Sequence, residues 1–332
     1  MIERVVKDVR TETYNSLKEV KEKLDYLRKI SRKGIHSLSD EKIEEFKLET
    51  KKFFNVIFSL FADTYPKKLF RVTNNKQLCN GKKQKLQKVS QLIGPPKNKS
   101  FFGRCNLPGE SVFYAALDFK TALWETKPEI GDYITVSEWR IKKGERLNTH
   151  MIFHPRLSKI NYDSKKAFVA WLAAKRQINP EWADIFEELV IFLTEEYMKI
   201  VDYTERENYL ISGLYSSILI QTPPDENGFK IDAICYPSIK MEYGLTNLAI
   251  VNSLVLKKLE LVEIKVYDVQ ETNYDVNNKN TSDLIKVSPM IIKTSDFDLE
   301  GDKINYDLKA ELRLAIELHE KYGGKENTPA NT

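Results

Sequence analysis

Apolar residues recur every three or four positions through the N-terminal part of the chain. The first run consists of Leu17, Val20, Leu24 and Leu27. This spacing places apolar side chains on one face of a helix, and Gly34 interrupts the run. A second run contains Phe46, Phe53, Ile57 and Phe61. The pattern predicts a helical region over residues 1–62 that ends before Pro66, because the residue before a proline disfavours helical backbone.

The second predicted helix carries a start signal. Ser39 is a favourable N-cap residue, and Asp40 and Glu41 place negative charge in the first turn. Leu38 is positioned to pack against Ile43 across this N-terminus. A helical pair of this kind is typical of a packing or dimerising appendage. We therefore expect these helices to pack or to mediate self-association rather than to carry chemistry.

From Leu69 onward, short β-rich stretches replace the helical pattern. The predicted strands are 112–116, 133–141, 231–236, 247–251 and 259–266. Several of them alternate apolar and polar residues, as strands with one buried face do. One helix is predicted from near Asp163, one from the N-cap pair Asn179-Pro180, and one over residues 209–221. This order predicts an α+β fold with a mostly antiparallel sheet and surrounding helices.

The last part of the chain is polar and rich in Asn and Asp. It is expected to contain one helix over residues 308–319 and a disordered tail over residues 323–332. The chain thus divides into an N-terminal helical region (1–62), a central domain (63–270) and a C-terminal extension (271–332).

The charge balance argues against nucleic acid as a partner. The 332 residues contain 52 Lys and Arg against 48 Asp and Glu, a net charge of +4, whereas a nucleic-acid-binding protein typically shows a strong or clustered basic bias. The densest basic run is Lys82, Lys83, Lys85 and Lys88. We interpret this run as a solvated loop.

The sequence also indicates a reducing, non-membrane environment. Cys79, Cys105 and Cys235 are odd in number and widely spaced, which argues against a disulfide framework or a zinc site. No apolar run approaches the roughly 18 residues that span a bilayer, and the N-terminus resembles no signal peptide. We expect a cytoplasmic protein without a membrane partner.

Familiar catalytic motifs are absent from the sequence. It contains no P-loop, no dinucleotide-binding glycine motif, no HExxH and no GxSxG. His150 and His154 are four residues apart, as on one helix face, but Pro155 follows and no carboxylate stands at ligand spacing. We therefore expect no metal site.

Residues 103–125 combine three side chains with chemical potential. Arg104 stands in a Gly- and Pro-rich turn, Tyr114 at a predicted strand, and Glu125 on a helix that follows. A guanidinium offers a planar set of donors to a pyrophosphate, and a tyrosine ring stacks on a flat heteroaromatic ring. A carboxylate stabilises positive charge that develops on a sugar.

This stretch resembles the signature of the RES domain family, approximately GRxNxxGxxxxYxAxxxxTAxxE, and matches it from Gly103 to Glu125 without a gap. Residues 69–72 (LFRV) resemble the hydrophobic-Arg segment that opens RES domains. Residues 232–238 (DAICYPS) and 246–250 (TNLAI) resemble the family's later strands. The resemblance covers about residues 66–270. Cys105 departs from it, because many members have an aromatic residue there.

The resemblance implies a fold like that of ADP-ribosyltransferases and a toxin that degrades NAD⁺ by hydrolysis or phosphorolysis. NAD⁺ would be the substrate, with no further cofactor, and a cognate antitoxin or inhibitor protein would be a partner. Arg104 would hold the phosphates with help from Arg71, Tyr114 would contact the nicotinamide end, and Glu125 would be the catalytic carboxylate. Ser238 would hydrogen-bond the substrate, and Ser212 is a further candidate placed near a predicted helix start.

Two alternatives remain open at this point. The same fold also serves protein ADP-ribosyltransferases, and a catalytically inactive interaction module would preserve the fold alone. The N-terminal helices would self-associate, inhibit the site or bind an antitoxin.

Overall fold

In the computed structural model the chain divides into two compact units that interleave along the sequence. The described residues are 17–35, 38–54, 61–64, 68–177, 179–224, 228–238, 245–272, 285–288 and 290–307, with single positions between 309 and 320. The first unit takes its described residues from Met1–Lys67, Gly94–Leu117 and Ile141–Leu259. The second takes them from Lys68–Ile93, Asp118–Arg140 and Glu260–Thr332.

Helices and strands both contribute throughout the described chain. The helices are α1 (Leu17–Lys33), α2 (Asp40–Phe54), α3 (Asn75–Leu78), α4 (Ser90–Ile93), α5 (Phe119–Thr126), α6 (Tyr162–Lys175), α7 (Pro180–Met198), α8 (Leu210–Gln221) and α9 (Val255–Lys258). The strands are β1 (Phe61–Thr64), β2 (Leu69–Asn74), β3 (Val112–Ala116), β4 (Tyr133–Ile141), β5 (Leu147–Met151), β6 (Ala233–Pro237), β7 (Thr246–Val251), β8 (Leu259–Thr272), β9 (Ile285–Val287), β10 (Ile292–Thr294), β11 (Phe297–Asp298) and β12 (Lys303–Ile304). The fold is α+β, as the sequence predicts.

The strands of the first unit lie in the order β1-β5-β6-β7-β3. β5 and β6 run parallel, with His150 opposite Ile234, whereas the other neighbours are antiparallel. Tyr114 lies opposite Ala249 in the β3–β7 pair.

The strands of the second unit lie in the order β2-β4-β8-β10, and β9 also pairs with β8. β2 and β4 are antiparallel, with Arg71 opposite Ser137, and β8 is antiparallel to both β9 and β10. The strands thus pair mostly antiparallel, with β5 and β6 as a parallel pair, in agreement with the sequence-based expectation.

The two N-terminal helices share the hydrophobic core of the first unit. α1 packs against α7, and α2 packs against α8. Their buried side chains are Val20, Leu24, Leu27, Phe46 and Phe53, which join residues of α7, α8, β3, β6 and β7 in one cluster. The apolar faces of α1 and α2 are therefore already covered within the chain, so self-association would have to use another surface.

Most predicted elements of the central region are confirmed. The strands at 112–116 and 133–141 have the predicted bounds, and β6 and β7 differ from the prediction by one or two residues at an end. The helix at Asn179 begins as expected, because the Asn179 side chain accepts a hydrogen bond from the Glu181 N–H at 3.0 Å and Pro180 occupies the first turn.

Two expectations about local structure are wrong. Phe61 belongs to β1 rather than to the second N-terminal helix, which ends at Phe54, because residues 61–64 pair with β5 over a long sequence distance. His150 lies in β5 and not on a helix face. Residues 1–16 and 55–60 of the predicted helical region lie outside the described residues.

The C-terminal extension contains short strands that the sequence does not predict. β9 to β12 occupy residues 285–304, and β11 pairs with β12 through a turn. Of the helix predicted over residues 308–319, the described positions include Leu312 and Ile316, which are helical. The tail over residues 323–332 lies outside the described part. Within the described helices, none is both long and apolar enough to cross a bilayer.

Candidate functional site

A tight turn at Gly103 forms the base of the candidate site in the first unit. Gly103 and Asn106 exchange backbone hydrogen bonds of 3.0 and 3.3 Å. A Cβ atom at Gly103 would lie 2.7 Å from the Tyr114 hydroxyl oxygen, so this position requires glycine. The Asn106 side-chain amide donates hydrogen bonds to the carbonyls of Phe101 and Leu107 and holds the loop closed.

Tyr114 reaches from the middle of β3 into this turn. Its hydroxyl donates a hydrogen bond to Asn106 Oδ1 at 2.7 Å and accepts one from the Cys105 N–H at 2.9 Å. Burial raises the pKa of Tyr114 well above its usual value. The hydroxyl is therefore a neutral phenol at physiological pH, which suits a positioning group and excludes a general base.

The Arg104 side chain caps the C-terminal end of α7. Its Nη1 donates hydrogen bonds to the carbonyl oxygens of Tyr197 and, at 3.1 Å, Lys199. Its Nη2 donates to the hydroxyl of Tyr209 at 3.2 Å. A cation is favourable at a helix C-terminus because unpaired carbonyl dipoles converge there.

Aromatic rings flank the same guanidinium. Its central carbon lies 5.0 Å from the ring centre of Tyr209 and 6.0 Å from that of Tyr236. Within the described residues, no carboxylate oxygen lies within 4.0 Å of the Arg104 nitrogens. The partly buried positive charge is thus balanced by neutral oxygens and π-faces, which leaves it able to attract an anion.

Helix α8 closes one side of the turn. A Cβ atom at Gly213 would lie 2.9 Å from the Asn106 carbonyl oxygen, so glycine allows this close approach. Glu110 ties the loop to the same helix, because its Oε1 accepts hydrogen bonds from Ser217 at 2.5 Å and Gln221 at 2.6 Å. The loop is therefore held in place by side chains from β3 and α8.

Ser212 and Ser238 are both buried. The Ser212 hydroxyl donates to the Tyr209 carbonyl at 3.2 Å, so its proton already serves the fold. Ser238 follows β6 directly, and its backbone N–H donates to the Leu245 carbonyl at 2.8 Å. Cys105 is also buried, and burial raises the pKa of its thiol to about 12, so the thiol is protonated and unreactive.

Arg71 and Glu125 belong to the second unit. Arg71 lies on β2, where its carbonyl accepts a hydrogen bond from the Ser137 hydroxyl at 3.2 Å. Glu125 is exposed near the end of α5. The Thr126 hydroxyl lies 3.3 Å from the Val72 carbonyl, which joins α5 to β2 beside both residues.

The structure brings Arg104, Tyr114 and Ser212 together around one turn, and it places Arg71 and Glu125 on contacting elements. Residues that the sequence analysis missed are Tyr197, Tyr209 and Tyr236. These three surround the Arg104 guanidinium and are distant from it in sequence. Tyr197 and Tyr209 belong to no recognisable motif, whereas Tyr236 lies in the RES-like segment 232–238. Asn106, by contrast, is part of the RES-like pattern, and that pattern could have singled it out.

The two histidines of the sequence analysis have internal partners. His150 Nε2 lies 3.2 Å from the Tyr215 hydroxyl, and burial lowers the pKa of His150 to about 3, so this ring is neutral. His154 Nδ1 accepts a hydrogen bond from the Arg156 N–H at 3.0 Å. Among the described residues, no group of three or more His, Cys, Asp or Glu side chains is arranged to hold a metal ion.

Comparison with models of known protein families gives no match, and comparison with curated proteins gives none either. The functional interpretation therefore depends on the motif in residues 103–125 and on the chemistry of the side chains around it.

Proposed function

We propose that this chain is a RES-like enzyme that degrades NAD⁺ by cleaving its nicotinamide–ribose bond. The observation that carries the proposal is the environment of Arg104. The guanidinium is partly buried, binds only neutral oxygens among the described residues, and lies between tyrosine rings. A site of this kind favours a phosphate group, because charge-assisted hydrogen bonds to guanidinium are strong and directional.

The remaining side chains have roles consistent with such a reaction. Arg104 would bind the pyrophosphate, and Tyr114 would contact the nicotinamide end as a neutral phenol. For Arg71, a phosphate-binding role is what the resemblance to RES domains implies. Ser238 and Ser212 would border the substrate, and Ser212 would interact through its lone pairs because its proton is bound to Tyr209. Exposure of Glu125 leaves its carboxylate accessible to a substrate.

The chemistry requires little from the protein besides charge placement. As the C–N bond breaks, its electron pair goes to the nicotinamide nitrogen and the cationic ring becomes neutral, so no general acid is needed. Positive charge develops on the ribose, and Glu125 would stabilise it. Water or phosphate then adds to the anomeric carbon, and water loses a proton to solvent in the process. This activity would suit a toxin or defence effector that is restrained by an antitoxin.

An inactive interaction module is the second candidate, and one observation favours it. Arg104 caps α7, and the Tyr114 hydroxyl closes the Gly103–Asn106 turn. Both residues therefore serve the fold without any substrate, so their presence alone does not require catalysis.

The deciding experiment measures NAD⁺ consumption by the purified wild-type chain and by Glu125→Gln, with products separated by chromatography. We expect wild type to consume NAD⁺ and Glu125→Gln to lose at least about a hundredfold in rate, the usual size of one electrostatic catalytic group. Glu260→Gln is the matched control, because Glu260 is an exposed carboxylate of the same unit, and it should retain full activity.

The products distinguish the alternatives. ADP-ribose identifies water as the acceptor, and ADP-ribose 1″-phosphate, formed only with phosphate present, identifies phosphorolysis. Labelled protein with little free ADP-ribose would indicate an ADP-ribosyltransferase. If wild type and Glu125→Gln leave NAD⁺ equally intact, the NAD⁺-degrading function is wrong and the interaction module remains.

A further inference from the structure

The loop before the Gly103 turn presents an aromatic side chain to solvent beside the candidate site. Phe101 is 66% exposed, whereas its neighbour Phe102 packs against the hydrophobic core of the first unit. An isolated exposed apolar side chain is common on protein surfaces and needs no explanation. Phe101 differs from such residues because both its backbone and its ring are held in place.

The backbone of Phe101 is fixed by the residue that also organises the turn. Its carbonyl accepts a hydrogen bond from Asn106 Nδ2 at 2.8 Å, and Asn106 Oδ1 accepts one from the Tyr114 hydroxyl at 2.7 Å. Phe101 and the turn that carries Arg104 are therefore tied to each other. A ring that is ordered in advance loses little conformational freedom when a ligand stacks on it, which favours affinity.

One face of the Phe101 ring is contacted by a cation. The guanidinium carbon of Arg206 lies over this ring, 5.9 Å from its centre, which is within the distance of a cation–π contact. The contact orients the ring, and the exposure of the side chain leaves most of its remaining surface accessible. A flat heteroaromatic ring stacks well on such a surface.

Arg206 and Tyr209 place the Phe101 ring next to Arg104. They lie three residues apart in the 3₁₀ segment Tyr203–Tyr209, where residues at this spacing lie one above the other, about 6 Å apart. Arg206 contacts Phe101, and Tyr209 contacts Arg104 through its ring and its hydroxyl. The Phe101 ring and the Arg104 guanidinium are therefore neighbours along one face of this segment.

The Arg104 guanidinium retains donors for a phosphate group. Of its five N–H donors, three bind oxygens of Tyr197, Lys199 and Tyr209, and the other two have no acceptor among the described residues. A ligand with its diphosphate at Arg104 and a flat ring on Phe101 needs these two groups joined by a short linker. In the adenosine half of NAD⁺, one ribose joins the adenine to the diphosphate.

We propose that Phe101 is the stacking surface for the adenine ring of NAD⁺ when Arg104 holds the diphosphate. This inference rests on the proposed function and adds a point of recognition at the end of the substrate remote from the bond that breaks. Because stacking discriminates little between bases, the surface favours a nucleotide over a bare diphosphate rather than one base over another.

The test compares two ligands that differ by the adenosine group. ADP and pyrophosphate are titrated separately into the purified full chain in phosphate-free buffer, and each dissociation constant is measured by isothermal calorimetry. We expect Phe101→Ala to weaken ADP binding at least about fivefold, the effect of removing one stacking ring, and to leave pyrophosphate binding unchanged. Phe101→Tyr should bind ADP as wild type does, because it keeps a ring at this position.

Tyr162→Ala is the matched control. Tyr162 is 70% exposed on the same unit, and the Lys166 ammonium lies 4.2 Å from its ring centre, but it belongs to α6, which contributes no residue to the candidate site. Its loss should change the binding of neither ligand. In the NAD⁺ consumption assay, Phe101→Ala should raise KM and leave kcat unchanged, because the adenine contact is the same in the ground state and the transition state.

The calorimetry separates this inference from the proposed function, because ADP binding does not depend on cleavage of NAD⁺. Equal weakening of ADP and pyrophosphate by Phe101→Ala, or weakening of neither, would overturn the adenine surface even if wild type consumes NAD⁺. A loss confined to ADP would support the surface even if wild type leaves NAD⁺ intact, and in that case the chain binds a nucleotide without cleaving it.

Discussion

At the scale of single residues, Tyr114 illustrates how one side chain serves both the fold and the proposed site. Its hydroxyl binds Asn106 Oδ1 and the Cys105 N–H at once. Asn106 and Cys105 are both buried, so water cannot replace these hydrogen bonds readily. The conformation of the turn that presents Arg104 therefore depends on one phenol.

We expect Tyr114→Phe to lower the free energy of unfolding by about 1–3 kcal/mol, because it leaves a buried donor and a buried acceptor without a partner. Urea denaturation followed by tryptophan fluorescence measures the change. Tyr162→Phe is the control, because Tyr162 is 70% exposed and loses only contact with water. Equal stability of the two variants would contradict the bridging role of Tyr114.

At the scale of elements, α1 and α7 are joined by a buried carboxylate. Glu196, which is 2% exposed, accepts a hydrogen bond from the Ser31 hydroxyl. It also forms an ion pair with the Lys199 ammonium at 2.8 Å. The Lys199 carbonyl in turn accepts from Arg104. The packing of the N-terminal helix and the position of Arg104 thus depend on one end of α7.

The pH dependence of the protein's stability should reflect the titration of the Glu196 carboxyl group. Burial, the strongest influence, raises its pKa above 4.5, although Lys199 opposes the effect and Glu195 adds to it. The folded state therefore holds the proton more tightly than the unfolded state. The resulting stabilisation is fully present below about pH 4.5 and is lost as pH rises through the folded-state pKa.

Glu196→Gln removes this titration. The melting temperature of wild type relative to Glu196→Gln should therefore fall as pH is raised from 4.5 to 7, measured by differential scanning calorimetry. Glu181→Gln, at an exposed position near the start of the same helix, should show no such fall. A relative gain of wild type with rising pH would mean that the Lys199 ion pair outweighs burial.

The sequence was informative where a pattern is local. The apolar run of β3, the alternation in β4 and the Asn179-Pro180 start of α7 need only neighbouring residues, and these elements lie where the sequence predicts them. The spacing of Phe61 fits a helix, yet long-range pairing with β5 decides its conformation.

The candidate site, too, is predictable from the sequence only where its residues form a local pattern. Arg104, Tyr114 and Glu125 stand in one short stretch that a pattern can single out. Two of the three acceptors of Arg104 are the carbonyls of residues 93 and 95 positions away, and any residue type has such a carbonyl. No sequence signal identifies partners of this kind.

At the scale of the whole molecule, the N-terminal helices are part of a folded unit rather than an addition to it. Val20, Leu24, Leu27, Phe46 and Phe53 are at most 2% exposed in the core that α7 and α8 complete. Each such side chain contributes about 1.5–3 kcal/mol by burial, which together is comparable to the stability of a whole domain.

A chain that starts at Asp63 should therefore aggregate or lose its cooperative unfolding transition, as measured by size-exclusion chromatography and calorimetry. In the full chain, Leu24→Ala should cost about 2–5 kcal/mol, whereas Leu48→Ala, at a position 61% exposed, should have little effect. A monodisperse, cooperatively unfolding chain from Asp63 would contradict this assignment.

The interleaving of the two units has a consequence for biosynthesis. The first unit takes its last segment from Ile141–Leu259, and the second takes its last from Glu260–Thr332. A ribosome that has translated the first half of the message has therefore completed neither unit. The strands β2 and β4 emerge long before β8, and β3 emerges long before β7. We therefore expect nascent chains to expose unpaired apolar strands until translation is nearly finished, a condition that favours chaperone binding at the ribosome exit.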